Sequence, residues 1–139
     1  MSSVCAPRLH LMVFTIIIIA VPALGGFVYP SEKESKMAKK VSILVGSLRK
    51  GSFARKIAQN TISMFPAGYE AEIVEIGHLP LYNFDYDDPN ETDFPTPESY
   101  TAFRETIKAS DGVLFVTAEN NRTVPACLKN ACLLYTSPS

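Results

Sequence analysis

Residues 41–52 read Val-Ser-Ile-Leu-Val-Gly-Ser-Leu-Arg-Lys-Gly-Ser: an apolar run that passes directly into a Gly/Ser/Arg loop and then into a helix start. Few folds accommodate that sequence of events. The glycines, Gly46 and Gly51, tolerate backbone angles closed to other residues and let a ligand approach the main chain. Ser47, Arg49 and Ser52 put two hydroxyls and a guanidinium into the same loop. The helix that follows aims free N–H groups and the positive end of its dipole back at them. Together these features suit a phosphate monoester, and they point to a binder of a nucleotide or of flavin mononucleotide.

A chain of 139 residues allows at most one ordinary domain. Its net charge of −1 gives no basic excess, which argues against a general nucleic-acid surface. Three cysteines (Cys5, Cys127, Cys132) include no C-x-x-C pair, so neither a zinc knuckle nor a disulfide framework is indicated. The two histidines, His10 and His78, are too few and too far apart for a metal site.

The most apolar run is Leu11–Ala20, continued weakly to Val28, with Arg8 and His10 before it and Ala23, Gly25 and Gly26 after it. Two readings stay open. The run has the outline of a signal peptide or, over residues 9–28, of a membrane anchor. Alternatively Met37-Ala-Lys-Lys-Val is the true start of a cytoplasmic protein. Lys33-Glu34 can then be spelled AAG-GAG, a ribosome-binding sequence two codons upstream, and residues 1–36 are upstream DNA translated through a miscalled start. On either reading these residues are expected to stand outside the domain.

Within the domain, Lys40–Val45 reads as a buried parallel strand, because its apolar residues run on instead of alternating. Ser52 is the N-cap of a helix carrying Phe53, Ile57, Ala58, Ile62 and Phe65 on one face, stopped by Pro66-Ala67-Gly68. Ala71–Ile76 alternates and reads as a strand nearer an edge. Residues 77–97 form a long loop with an acidic run, Asp85-Tyr-Asp-Asp88, that lacks calcium-loop spacing and reads as solvated. A second helix opens at Pro97/Glu98, with Tyr100, Phe103 and Ile107 on one face. Val113–Val116 is another continuous apolar, hence central, strand. The polar loop 117–124 follows it, and Pro125 starts a helix running to Ala131. Alternation of this kind gives parallel βαβ units, whose ligands sit beyond the carboxyl ends of the strands at the switch point. If the strands at 40–45 and 113–116 are neighbours, loops 46–52 and 117–124 face each other across one crevice.

Gly46-Ser-Leu-Arg-Lys-Gly-Ser52, Leu79-Pro-Leu-Tyr-Asn83, Thr117-x-Glu-x-Asn121 and Val124-Pro-x-x-Leu-Lys-Asn-Ala131 resemble, in order, the NADPH-dependent FMN reductase family of flavodoxin-like quinone, azo-dye and chromate reductases. The resemblance covers residues 39–131. It implies a flavodoxin-like α/β fold, a doubly wound parallel sheet with helices on both faces. It implies FMN as cofactor and NADPH or NADH as co-substrate, with hydride passing from nicotinamide to flavin and on to a small-molecule acceptor. By position, Ser47, Arg49, Ser52 and Phe53 would hold the phosphate, and Ala118, Glu119, Asn120 and Asn121 would line the flavin ring, largely through backbone groups. The flavin carries the difficult step, so no general acid or base and no metal ligand is assigned. A non-catalytic, flavodoxin-like electron carrier is the alternative. The Leu79–Tyr82 segment is expected at a subunit interface or rim of a homodimer or homotetramer, and Lys129-Asn130 on a solvent face of its helix.

Two departures from the family pattern stand out. Thr117-Ala-Glu-Asn-Asn121 replaces the usual Thr-Pro-Glu-Tyr-Asn, which loosens the loop and removes an aromatic surface. Ala54 stands where Asn is common, removing one phosphate-loop hydrogen bond worth about 1–2 kcal/mol. The family pattern also continues past Ala131, whereas here Cys132–Ser139 follows. TGT-CTC-TTA-TAC-ACA-TCT-CCG-AGC encodes those eight residues and matches a transposase sequencing adapter in frame. The sheet is accordingly expected to be incomplete at its C-terminus, with Val113–Val116 as a bare apolar edge. In that form it is expected to bind no FMN, unlike the intact gene product.

Overall fold

The computed structural model describes residues 16–19 and 38–136. Among these the elements run β1 (Ile16–Ile19), β2 (Lys39–Gly46), α1 (Phe53–Ile62), β3 (Tyr69–Val74), α2 (Glu98–Lys108), β4 (Gly112–Thr117) and α3 (Ala126–Thr136). A single 3-10 turn, Phe84–Tyr86, interrupts the long loop after β3. The sheet order is β1-β4-β2-β3. β2 pairs in parallel with β3 on one side and β4 on the other, while β1 lies antiparallel on the outer edge of β4.

Alternation along β2 and β4 sends successive side chains to opposite faces. Ile43, Val45, Leu114 and Val116 pack with Ala54 and Ala58 of α1 on one face. Leu44, Val113 and Phe115 pack with Tyr100, Phe103 and Ile107 of α2 and Leu128, Ala131 and Leu134 of α3 on the other. Helices therefore cover both faces of a parallel sheet, the α/β architecture expected. Burying each Leu, Ile or Phe of these layers contributes about 1.5–3 kcal/mol.

Three details differ from the expected pattern. The buried stripe of α1 is Ala54 and Ala58, whereas Phe53 and Ile62 are exposed, so the helix meets the sheet on its small residues. α3 runs five residues beyond Ala131, because Leu134 continues its apolar face into the core. The third concerns the leader. Ile16–Ile19 joins the sheet, in register from Ile16 opposite Val116 to Ile19 opposite Val113, so the edge of β4 is not bare. A β-branched strand satisfies the N–H and C=O groups that an open edge leaves unpaired. The rest of the proposed leader and residues 137–139 lie outside the described residues.

The acidic loop is more than a solvated run. Asp87, only 5% exposed at its side chain, takes both arms of Arg104 at 2.7 and 2.6 Å. Arg104 Nε also donates to the carbonyl of Leu134 at 2.7 Å, which ties the loop to the end of α3.

Candidate functional site

β2 lies between β3 and β4, and the chain leaves it toward β3 first and reaches β4 later. This is the point where strand order reverses, and loops leaving the adjacent carboxyl ends part there to form a crevice. Gly46 stands opposite Thr117 in the register. The loops 47–52 and 118–124 consequently start side by side.

Close approach at this register pair requires glycine. A Cβ on Gly46 would overlap Thr117 Oγ1 and lie 2.8 Å from Thr117 Cβ. The buried Thr117 hydroxyl turns along its own chain and donates to the Ala118 carbonyl at 2.8 Å.

The first loop ends in the helix cap the sequence indicates. Ser52, 3% exposed, accepts from the Arg55 N–H at 3.3 Å through its Oγ, and its backbone N–H donates to the Arg49 carbonyl at 3.0 Å. Accepting a bond leaves the hydroxyl hydrogen of Ser52 to donate to a ligand. Arg49 is exposed and curls over the loop, Nη2 donating to the Gly51 carbonyl at 3.0 Å, with further N–H groups to spare. Ser47 is half-buried, and its side chain makes no hydrogen bond to the described residues. Phe53 holds its ring in solvent under Lys56 Nζ, 5.6 Å from the centroid, so only its first-turn N–H faces this site. Ala54 lies in the apolar layer beneath α1. Arg55 is engaged elsewhere: Glu75 takes both arms of it at 2.7 and 2.5 Å. Its guanidinium holds the Glu75 carboxyl below its usual range. The loop thus offers hydroxyls, first-turn amides and one guanidinium, a donor set that fits a phosphate.

The second loop is a tight hairpin. Asn120 and Thr123 exchange both backbone hydrogen bonds, at 2.9 and 3.0 Å. Asn121 and Arg122 between them take φ of 50° and 64°. That is a type I′ turn, which needs two residues in the left-handed region. The geometry sorts the four residues expected to line a flavin ring. Both backbone groups of Asn120 are used within the hairpin, and the Ala118 carbonyl is taken by Thr117. The N–H groups of Glu119, Asn121 and Arg122 donate to nothing among the described residues. Arg122 was not legible as part of this set, since Asn-Arg is not a turn signal.

A third segment closes the rim. After β3, Gly77 lies under the Leu48 side chain of the first loop, where an added Cβ would come 3.1 Å from Leu48 Cδ2. Leu79 and Tyr82 then join the apolar cluster that contains Val124, Cys127 and Leu128. Asn130 is buried at 9% exposure, not on a solvent face, because the chain doubles back over its helix here. Its Oδ1 accepts from the Tyr82 N–H and its Nδ2 donates to the Pro80 carbonyl, each at 2.8 Å.

Comparison with known proteins bears on this arrangement. The model of a family described as NADPH-dependent FMN reductase matches residues 39–136. The chain is 53% identical over 91 residues to a quinone reductase of Pseudomonas putida, covering 66% of this chain and 46% of that protein. It is 45% identical over 95 residues to a 2-hydroxy-1,4-benzoquinone reductase of Burkholderia sp., covering 68% and 49%. Among solved structures it is similar to the flavoenzyme NAD(P)H:(acceptor) oxidoreductase FerB of Paracoccus denitrificans. That match has a TM-score of 0.62 and 36% identity and covers 73% of this chain and 52% of that one. The chain spans about half the length of these relatives. The family match takes in both loops of the crevice and the helix that leaves it, and the chain belongs to the NADPH-dependent FMN reductase family.

Proposed function

We propose that this protein is an FMN-dependent NAD(P)H oxidoreductase that passes electrons to quinone-type acceptors. One observation carries the reading. A phosphate-type donor loop and a hairpin with three unused amides open side by side at the strand switch point. Ser47, Ser52, Arg49 and the first-turn N–H of Phe53 hold the phosphate. The N–H groups of Glu119, Asn121 and Arg122 supply donors along the ring edge, and Ala118 and Asn120 shape the wall behind them. FMN held there would supply the redox chemistry, hydride uptake from a nicotinamide and onward delivery of electrons. The chain's own residues bind and orient it, and none is assigned a proton-transfer role. The quinone reductases among its relatives support the acceptor class. Azo and chromate acceptors, a homodimeric or homotetrameric assembly and a cytoplasmic location complete the same reading. No helix of the described residues is long and apolar enough to cross a membrane.

The test titrates FMN against the chain, and against the product of its gene recovered from genomic DNA, following flavin fluorescence. NAD(P)H oxidation is then assayed with a benzoquinone, an azo dye and chromate. Arg49→Lys is expected to weaken FMN about tenfold, since an ammonium cannot reproduce the guanidinium fork. Tight FMN binding with no NAD(P)H oxidation would favour the electron-carrier alternative instead.

A further inference from the structure

Three consecutive residues, Pro80, Leu81 and Tyr82, have their backbone groups captured by buried side chains. Asn130 takes the Pro80 carbonyl and the Tyr82 N–H. Tyr100, fully buried, donates its hydroxyl to the Leu81 carbonyl at 2.7 Å. A buried polar side chain is costly unless both its ends are satisfied. Here both ends of the Asn130 amide are satisfied by one loop. The Leu81 side chain, in contrast, is left 79% exposed. The arrangement fixes an exposed apolar residue in place rather than burying it.

Asn130 belongs to α3, the helix that begins directly after the 118–124 hairpin. The segment it grips begins three residues after Gly77, which lies against Leu48 of the first loop, and Tyr82 at its end packs against the same apolar cluster as Val124 and Cys127. We infer that Asn130 is a positioning residue that locks Pro80–Tyr82 to α3, making this segment a fixed apolar wall of the crevice against which the quinone-type acceptor docks. The inference rests on the reductase reading above. Asn130 touches neither cofactor nor acceptor; it acts through Leu81 and Tyr82. Losing it frees the wall without altering the phosphate loop, so acceptor binding falls while flavin binding and the chemical step persist.

The experiment uses the flavin-loaded product of the recovered gene with Asn130→Ala, Asn130→Asp and Tyr100→Phe. Hydrogen exchange at the Tyr82 amide reports the latch, flavin fluorescence reports FMN affinity, and steady-state kinetics separate KM for a benzoquinone from kcat. Asn130→Ala is expected to expose the Tyr82 amide to exchange and to raise the quinone KM about tenfold, with kcat and FMN affinity held within about twofold. Asn130→Asp keeps an acceptor for the Tyr82 N–H but sets a carboxylate against the Pro80 carbonyl, so its defect should be large at neutral pH and shrink as pH falls and the carboxyl regains a proton to donate. Tyr100→Phe, which removes the bond to the Leu81 carbonyl together with the Asn83 backbone contact of the same hydroxyl, supplies a reading should Asn130→Ala fail to fold. An unchanged quinone KM in folded variants, or a loss of FMN affinity as large as the rise in KM, would overturn the wall. Wild-type protein that binds FMN but reduces no quinone overturns the reductase reading first, and the wall with it.

Discussion

Gly46 shows how one missing side chain permits the site. Its strand neighbour Thr117 is buried and hydrogen-bonded to the Ala118 carbonyl, so it cannot swing aside without unmaking that bond. Gly46→Ala is expected to cost about 1–3 kcal/mol by overpacking and to weaken FMN as the two loops part. Urea denaturation checks the first effect and flavin titration the second; a wild-type midpoint with wild-type affinity would show that Thr117 has room to move. The glycine was legible in the sequence, as part of a strand-to-loop junction. Its partner was not, because 71 residues separate Gly46 from Thr117 and only the sheet register brings them together. Asn130 is the sharper case: a polar residue in a helical motif reads as solvent-facing until a distant loop is seen to cover it.

Among the elements, the hairpin and α2 each carry a prediction. The type I′ turn places Asn121 at φ 50°, a conformation that asparagine tolerates and a β-branched residue does not. Asn121→Val is expected to lower stability by about 1–2 kcal/mol, while Asn121→Gly stays within about 0.5 kcal/mol of wild type. Thermal unfolding decides it, and equal melting of the two variants would count against the turn assignment. On α2, burial pushes the Tyr100 hydroxyl above its ordinary range, so in the folded protein it stays protonated and donates to Leu81. In the unfolded chain it ionises near pH 10. The folded state therefore holds this proton more tightly. Its contribution is complete below about pH 10 and is lost as pH rises above that value. Tyr100→Phe should flatten that alkaline limb of the stability curve, and a variant whose stability falls as steeply as wild type would show that other groups cause it.

For the whole molecule, the edge of β4 decides behaviour in solution. Ile16–Ile19 covers it in antiparallel register. Deleting residues 1–36 leaves the outer N–H and C=O groups of Gly112–Thr117 without that partner, on an apolar strand. The shortened chain is expected to self-associate, as light scattering would show against the full chain. A shortened chain no larger in solution than the full chain would mean that the edge needs no cover. The layering of the molecule was legible from the continuous apolar runs at 41–45 and 113–116, since only a strand covered on both faces reads that way. The contribution of β1 was not legible, because a short isoleucine run fits a leader, an anchor and an edge strand equally well.

By itself the sequence determined local events: where strands give way to loops, which serine caps α1, and which residues could grip a phosphate. These depend on neighbours a few positions apart, and composition and spacing record them directly. Only the tertiary structure decided that β2 and β4 are adjacent, so that loop 47–52 opens beside the hairpin. It also decided which amides of that hairpin remain unused, and that Asn130 faces a loop instead of water. Those outcomes depend on strand order and on contacts tens of residues apart, where burial and register, not local pattern, determine which groups meet.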